Sequence, residues 1–293
     1  MVNFEILSLK VLGKLNQYAI KFKTKKELLR LIRQPEPELN SLGKTIQAVL
    51  QKQLDNEEKN YIDNIEHLRK KLNRSTTKIT IVDYGAVSPA LNLSKKQMNK
   101  GCITVEIVGN ISKSASITLP PWSLLLFKLI REFKPLKCLE LGTSLGLSAA
   151  YQAAALELNK KGQLYTLEGA DSLASIAQNN LDKLNLTRFQ ITVGRFVDTL
   201  SGILKELKQI DHVLIDGHHS ERATLNYFEK IVPFLSDKSI MVFDDIYWSH
   251  GMQRAWRKIS DDNRVQASID MASMGICIFS KQIKTKKRFQ ITF

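Results

Sequence analysis

The sequence predicts an α/β fold: a doubly wound, seven-stranded, mostly parallel sheet with a helical N-terminal extension. Three observations predict it. From Pro120 onward, short apolar runs alternate strictly with segments of helical periodicity, the pattern of a parallel sheet covered by helices. Right-handed crossovers between such strands put helices on both faces. The last two apolar runs, Val265–Ile269 and Gly275–Phe279, are joined by only about five residues, so they must be antiparallel neighbours.

Taken in order, residues 3–33 carry Phe4, Leu7, Val11, Leu15 and Tyr18 at three-to-four spacing and read as an amphipathic helix. Gln34-Pro35-Glu36-Pro37 stops it. One further helical region spans Leu39 to Leu72, with Ile46, Val49, Leu50, Ile62, Ile65 and Leu68 on its apolar face. Strand-like runs follow at Lys78–Asp83 and Cys102–Val108, with a polar loop between them. The alternating series then has strands at Lys137–Leu141, Gln163–Leu167, Phe189–Val193, His212–Ile215 and Ser239–Phe243. Its helices are Ser123–Phe133, Ser148–Leu158, Leu173–Leu184, Val197–Leu207, Ser220–Phe234 and Met252–Ile259. Arg288–Phe293 is a candidate edge strand. The organisation expected is an extension over residues 1–110 and a catalytic, ligand-binding region over 111–293.

Bulk properties narrow the function classes. With 293 residues and 43% hydrophobic content, the chain can build one large core. No apolar run approaches the roughly 18–20 residues that cross a bilayer. The apolar start, Met1–Leu15, is broken by Glu5, Lys10 and Lys14 and is not read as a signal peptide. Cys102, Cys138 and Cys277 are odd in number and far apart, each in an apolar stretch. Buried thiols in a reducing cytoplasm are expected. The net charge of +14 is concentrated at the ends: residues 1–33 carry +6 and residues 281–293 carry +5, leaving a nearly neutral body. That distribution argues against a nucleic-acid partner.

Ligands of a doubly wound sheet sit beyond the carboxyl ends of the strands, where strand order reverses. The first such turn reads Glu140-Leu141-Gly142-Thr143-Ser144-Leu145-Gly146. Gly142 and Gly146 permit a tight turn and close approach of a ligand, and the next helix aims its free N–H groups at the same place. The spacing E-x-G-x-x-x-G is not the G-x-G-x-x-G of dinucleotide-binding turns. Alone it is compatible with an ordinary strand-to-helix turn. The second strand ends at Glu168-Gly169, 22 residues after Gly146, where an acid can accept hydrogen bonds from two ribose hydroxyls.

Four segments in order, LELGTSLGLS, YTLEGA, VLIDGHHS and IMVFDDIYW, resemble the successive motifs of the class I S-adenosyl-L-methionine-dependent methyltransferases, a Rossmann-like fold. They are most similar to the O-methyltransferase branch that includes the catechol and caffeoyl-CoA enzymes. The resemblance covers residues 114–280. It implies that Glu140, Gly142, Thr143, Ser144 and Gly146 border the methionine moiety of S-adenosyl-L-methionine. Ser148 would reach its carboxylate, although Ser148 also suits a helix cap. Glu168 and Gly169 would hold the ribose, the turn Gly194-Arg195-Phe196 would lie beside the adenine, and Asp216 would close the cofactor site.

On the acceptor side, Asp216-Gly217-His218-His219-Ser220 ends one strand and Asp244-Asp245 ends the next. Crowding acids together is costly without a purpose. In one reading Asp216, Asp244 and Asp245 hold Mg²⁺ or another divalent cation through oxygen ligands, as the matching positions do in the related enzymes, where Asn often stands at position 245. In another His219, assisted by Asp216, is the general base, at the position where the catechol enzyme has a lysine. In the plainest, the histidines cap the next helix and the acids bind loop amides. Tyr247 and Trp248 are candidate walls for the acceptor, Trp256 is expected in the core, and Trp122 near the cofactor entrance.

The expected activity is methyl transfer to an oxygen, hydroxyl or carboxylate, of a small-molecule or peptide acceptor. An RNA methyltransferase using its basic termini and a non-catalytic cofactor-binding scaffold are the alternatives. For the N-terminal helices a lid, a homodimer surface and a membrane-surface contact are weighed; a solvated face packed on the catalytic region is preferred.

Overall fold

The structure is a computed structural model that describes residues 22–84, 101–115 and 120–292. The first half of the N-terminal helix and most of the polar loop between the first two strands lie outside the described residues. Residues 22–32 are helical (α1). The single helix expected over Leu39–Leu72 is two, α2 (Pro37–Leu50) and α3 (Asn56–Asn73). The chain turns at Lys52, which adopts φ +52°. Asp55 then caps α3, its carboxylate accepting from the Glu58 N–H while Glu58 accepts from the Asp55 N–H. This reciprocal box starts a helix, and apolar periodicity on both sides conceals the break.

β1 (Lys78–Asp83) and β2 (Cys102–Ile107) form a separate antiparallel ribbon. A short helix, α4 (Val108–Ser114), and a longer one, α5 (Trp122–Phe133), lead into the main sheet. There the elements run β3 (Lys137–Leu141), α6 (Leu147–Asn159), β4 (Gln163–Glu168), α7 (Asp171–Lys183), β5 (Phe189–Val193), α8 (Phe196–Leu207) and β6 (Ile210–Ile215). They continue through α9 (Glu221–Ile231), β7 (Leu235–Phe243), α10 (His250–Asp261), β8 (Ala267–Asp270), β9 (Gly275–Phe279) and β10 (Lys287–Gln290). The sheet has eight strands rather than seven, in the order β10-β8-β9-β7-β6-β3-β4-β5. The added strand is the C-terminal edge, parallel to β8. Only β9 is antiparallel to its neighbours. Strand order reverses between β3 and β6, which are adjacent and parallel.

Successive side chains of a strand face opposite ways, and the two faces bury two apolar clusters. Leu139, Leu141, Val213, Ile215, Met241 and Phe243 face α8, α9 and α10, with Trp256 in the same cluster. Trp256 is thus a core residue, and its indole N–H donates to Asp270 at 2.9 Å. On the other face Cys138, Leu214, Ile240 and Val242 join α5 and α6. Leu31, Leu39, Ile46 and Ile65 of the N-terminal helices belong to that same cluster, and Trp122 packs against it. Lys128 and Arg131 of α5 both pair with the buried Glu58 of α3. Cys138 and Cys277 are buried, whereas Cys102 is half-exposed on the ribbon.

The two basic ends of the chain meet. The Arg30 guanidinium lies 4.3 Å from the Phe289 ring centre, and Lys23 donates to Gln290 at 2.9 Å. Phe289 is buried on the edge strand, so Phe289→Ala is expected to cost about 3–5 kcal/mol in urea unfolding. Arg30→Ala removes the ring contact, the exposed pairing with Glu27 and a hydrogen bond to the Arg288 carbonyl, and should cost less, about 1–2 kcal/mol. A Phe289 variant as stable as the parent would mean that β10 is not part of the folded sheet.

Candidate functional site

β3 ends at Leu141, and the chain turns sharply at Gly142, which has φ +108°. The N–H groups of Gly142 and Thr143 both donate to the carbonyl of Leu167, at 3.0 and 3.3 Å. A Cβ at Gly142 would lie 2.0 Å from the carbonyl oxygen of Asp216. Glycine is therefore required by the neighbouring strand end, not by a ligand. Gly146, at φ +81°, opens α6, and a Cβ there would press on Ala177 of α7 at 3.0 Å. The first turn of α6 has N–H groups with no helical acceptor, and no side chain caps it.

Two acids brace this turn. Glu168, buried at the end of β4, accepts from the Ser144 N–H at 2.7 Å and the Ala170 N–H at 2.9 Å. Burial raises its pKa, while those backbone donors pull it back. Glu140 is fully buried on β3. It accepts from Gln152 at 2.8 Å and from Thr166 at 2.6 Å, and the Thr166 hydroxyl stands 2.6 Å from that of Thr143. Burial pushes Glu140 up to about 7, against hydrogen bonds from Thr166, Ser148 and Gln152. A hydroxyl chain thus connects the acid to the turn.

A cavity lies between the turn and α4. Gly142, Thr143, Ser144, Ser148 and Asp216 line one side, and Ile111, Ser112 and Ala115 of the N-terminal region line the other. Its polar lining and the open start of α6 suit a ligand that carries a carboxylate. On the flank expected for adenine, Gly194 has φ +137° and donates to the Glu168 carbonyl at 2.8 Å. Arg195 pairs with Asp198 at 2.6 Å. The Arg195 guanidinium also lies 6.0 Å from the Tyr84 ring centre. Tyr84 covers Gly169, where a Cβ would come within 3.2 Å of its ring. Phe196 meets Tyr227 edge-on, ring centres 5.8 Å apart. Ile111, Ser112 and Tyr84 were not among the expected site residues. Tyr84 comes from the extension and Ile111 and Ser112 from α4, which straddles the boundary expected at 110/111, and no sequence pattern links them to the turn.

At the acceptor end the β6 and β7 termini lie side by side, the Asp244 N–H donating to the Ile215 carbonyl at 3.0 Å. Asp244 is buried. Desolvation, then the charge of Asp245, pushes its pKa up to about 8. Asp216 is also pushed well up, by desolvation first and then by Asp244 and Asp245, and it shares a hydrogen bond with Asp244. His219 Nε2 stands 3.8 Å from Asp216 Oδ1 and 3.9 Å from Asp245 Oδ2. These are charge contacts, too long for hydrogen bonds. Desolvation lowers the His219 pKa, opposed by Asp245. His218 takes a left-handed conformation (φ +59°) and turns its Nδ1 toward the Tyr227 hydroxyl at 3.2 Å. Among the described residues, no group of three His, Cys, Asp or Glu side chains is placed to hold a metal ion. Asp216, Asp244 and Asp245 are brought together, but not in such a group. Tyr247 and Trp248 are exposed beside them, and the Tyr247 hydroxyl donates to Asp270 at 2.9 Å.

Comparison with known proteins agrees with this layout. Residues 139–246 match a protein family described as a methyltransferase domain. A catechol O-methyltransferase from Niastella koreensis is 29% identical over 136 residues, which cover 46% of this chain and 57% of that protein. The chain thus spans somewhat over half the length of that relative. The O-methyltransferase from Bacillus cereus, solved in complex with SAH, superposes with a TM-score of 0.50 at 19% identity, covering 76% of this chain and 91% of that one. The likeness shows a Rossmann-like α/β fold, and the matched methyltransferase domain falls on the segment that carries the four motifs.

The buried acids set a pH dependence. Folded-state values of about 8 for Asp244 and about 7 for Glu140 lie above the ordinary carboxyl range. Stability is therefore fully present below about pH 4 and is lost as pH rises through the folded values. Asp244→Asn removes the larger contribution. Its Tm should exceed the parent's at about pH 8 by roughly 2–4 °C for each kcal/mol recovered. The gap should close toward about pH 4 in thermal scans, and a gap independent of pH would refute the desolvation argument.

Proposed function

We propose that this chain is an S-adenosyl-L-methionine-dependent O-methyltransferase acting on an oxygen of a small-molecule or peptide acceptor. The observation that carries the reading is the position of Asp216. One side of it lines the cavity at the glycine turn, and its carboxylate stands 3.8 Å from the imidazole of His219. Cofactor pocket and candidate base are thus adjacent across one side chain. In the proposed organisation residues 111–293 are catalytic, and residues 1–110 supply the cover.

The cofactor supplies a methyl group already activated on a sulfonium. What remains for the chain is binding, alignment and a proton. Glu168 is placed to accept from ribose hydroxyls with the lone pairs its two backbone donors leave free. Ser148 and the open first turn of α6 are placed for the methionine carboxylate. His219, with its pKa below the ordinary imidazole value, is neutral at pH 7 and takes the acceptor's hydroxyl proton on Nε2 as the oxygen gains the methyl group. The imidazolium so formed lies beside Asp245, whose charge favours it. A divalent cation is not needed for this sequence, and the three acids do not fit one as they stand, so no step is routed through it.

Trp248 offers the acceptor a flat apolar wall beside Asp245. The basic termini are weak support for an RNA substrate, because Arg30, Lys287 and Arg288 are already paired with Glu27, Glu36 and Asp261. Three unpaired thiols support a reducing compartment such as the cytoplasm. Among the described residues no helix is long and apolar enough to cross a membrane.

Equilibrium binding of S-adenosyl-L-methionine tests the cofactor half. Glu168→Ala should weaken it at least tenfold, a loss of about 1.4 kcal/mol; unchanged affinity would remove Glu168 from the site. His219→Ala should lower kcat by roughly 10²–10⁴-fold while cofactor affinity is retained. The acid limb of kcat/KM should fall below about pH 6.5, the ordinary imidazole value. Loss of activity in EDTA, restored by Mg²⁺, would replace this base mechanism with metal-assisted activation.

A further inference from the structure

An open depression on the described surface is remote from the chemistry assigned so far. It measures about 540 Å³ and lies where the end of α3 meets α4, lined by Lys70, Asn73, Arg74, Thr76, Asn110 and Lys113 among others. That volume is within the range of small-ligand sites, about 300–1,000 Å³. Three cations face it and no carboxylate lines it. Among the described residues Lys70, Arg74 and Lys113 form no ion pair, whereas the adjacent Arg69 is held by Glu66. Helix ends account for part of the clustering, because Lys70 and Lys113 occupy the last turns of α3 and α4. Arg74 caps the C-terminus of α3 and belongs to the same helix end; what helix ends do not account for is the convergence of α3 and α4 on one bowl, with the neutral donors of Asn110 and Thr76 between the charges.

We propose that this groove binds the diphosphate group of a phosphorylated small molecule. A guanidinium, two ammonium groups and an amide offer both the charge and the directional donors that such a group requires. The walls are fixed to each other. The Val108 and Gly109 N–H groups donate to the carbonyls of Thr77 and Ser75, at 3.0 and 3.2 Å, and the Ser112 hydroxyl donates to Asn73 Oδ1 at 2.6 Å. A Cβ at Gly109 would sit 2.5 Å from the Ser75 carbonyl, so α4 is seated as closely as a backbone allows. The same short helix turns Ile111 and Ser112 into the cavity at the glycine turn. A diphosphate shared by Lys70 and Arg74 at the end of α3 and Lys113 of α4 would add to the contacts that keep α4 at that cavity and so favour cofactor binding. This coupling rests on the proposed cofactor reading; the groove itself does not.

Calorimetric titration with inorganic pyrophosphate at low salt tests the groove. The full chain should bind it, and Lys70→Ala/Arg74→Ala/Lys113→Ala should bind at least tenfold more weakly. All three side chains are exposed, and Lys113→Glu alone should show the same direction if the triple variant is unstable. Equal affinity in parent and variants, or no binding by the parent, overturns the proposal. S-adenosyl-L-methionine binding should tighten about fivefold in saturating pyrophosphate, and an unchanged value overturns the coupling. Failure of the cofactor to bind at all would count against the proposed activity, while the pyrophosphate titration would still decide the groove.

Discussion

The site depends on how closely two parallel strands approach each other where the order of the sheet reverses. At that point the end of β3 and the end of β6 are so near that Gly142 has no room for a side chain against the Asp216 carbonyl. The Asp216 N–H donates to the Leu141 carbonyl at 2.9 Å, and the Gly142 N–H reaches the other way, to Leu167 at the end of β4. Three strand ends are thereby tied into one edge. The glycine turn, the ribose-side acid Glu168 and the acceptor-side Asp216 are then set by the sheet itself. A site whose groups hang from strand ends has little freedom to misplace them, which is what alignment of a reacting pair requires.

That rigidity comes with buried charge. Glu140, Glu168, Asp216 and Asp244 are withdrawn from water within one edge of the sheet, and desolvation raises each of them. The hydrogen-bond supply separates them into two kinds. Glu140 and Glu168 are satisfied by fixed donors, the side chains of Thr166, Ser148 and Gln152 for the first and backbone N–H groups for the second. They are structural acids and hold the turn. Asp216 and Asp244 instead have each other and Asp245, so protons are retained in the cluster. His219 sits beside that shared charge, neutral before it accepts a proton and attracted to the carboxylates afterwards. Acids of the first kind hold the glycine turn, and those of the second surround the proposed base.

Much of this was legible from the residues. Strand–helix alternation locates every strand of the main sheet, because buried parallel strands are short apolar runs and their connections are amphipathic. The antiparallel turn between β8 and β9 follows from its length, and the strand-end motifs follow from the topology. What escaped has a common physical cause. The break at Lys52 and Asp55 is a local cap between two stretches with the same apolar face. α4, seven residues or about two turns, is too short to show a period. Tyr84 covers Gly169 through a contact 85 positions apart in the chain, and nothing in the sequence marks it. The reason for Gly142 was also misread: its freedom serves the neighbouring strand before it serves a ligand.

The extension therefore cannot be treated as an appendage. Its helices share a core with one face of the sheet, and Glu58 holds α5 through two cations at once. Its ribbon hydrogen-bonds to α7, the Ser172 hydroxyl donating to the Thr80 carbonyl at 2.7 Å. From those two anchorages it sends Tyr84 over one end of the turn and α4 over the other. The strand ends supply the polar groups that recognise and react, and the extension supplies the walls that exclude water from them. A low-dielectric enclosure strengthens every charge interaction inside it.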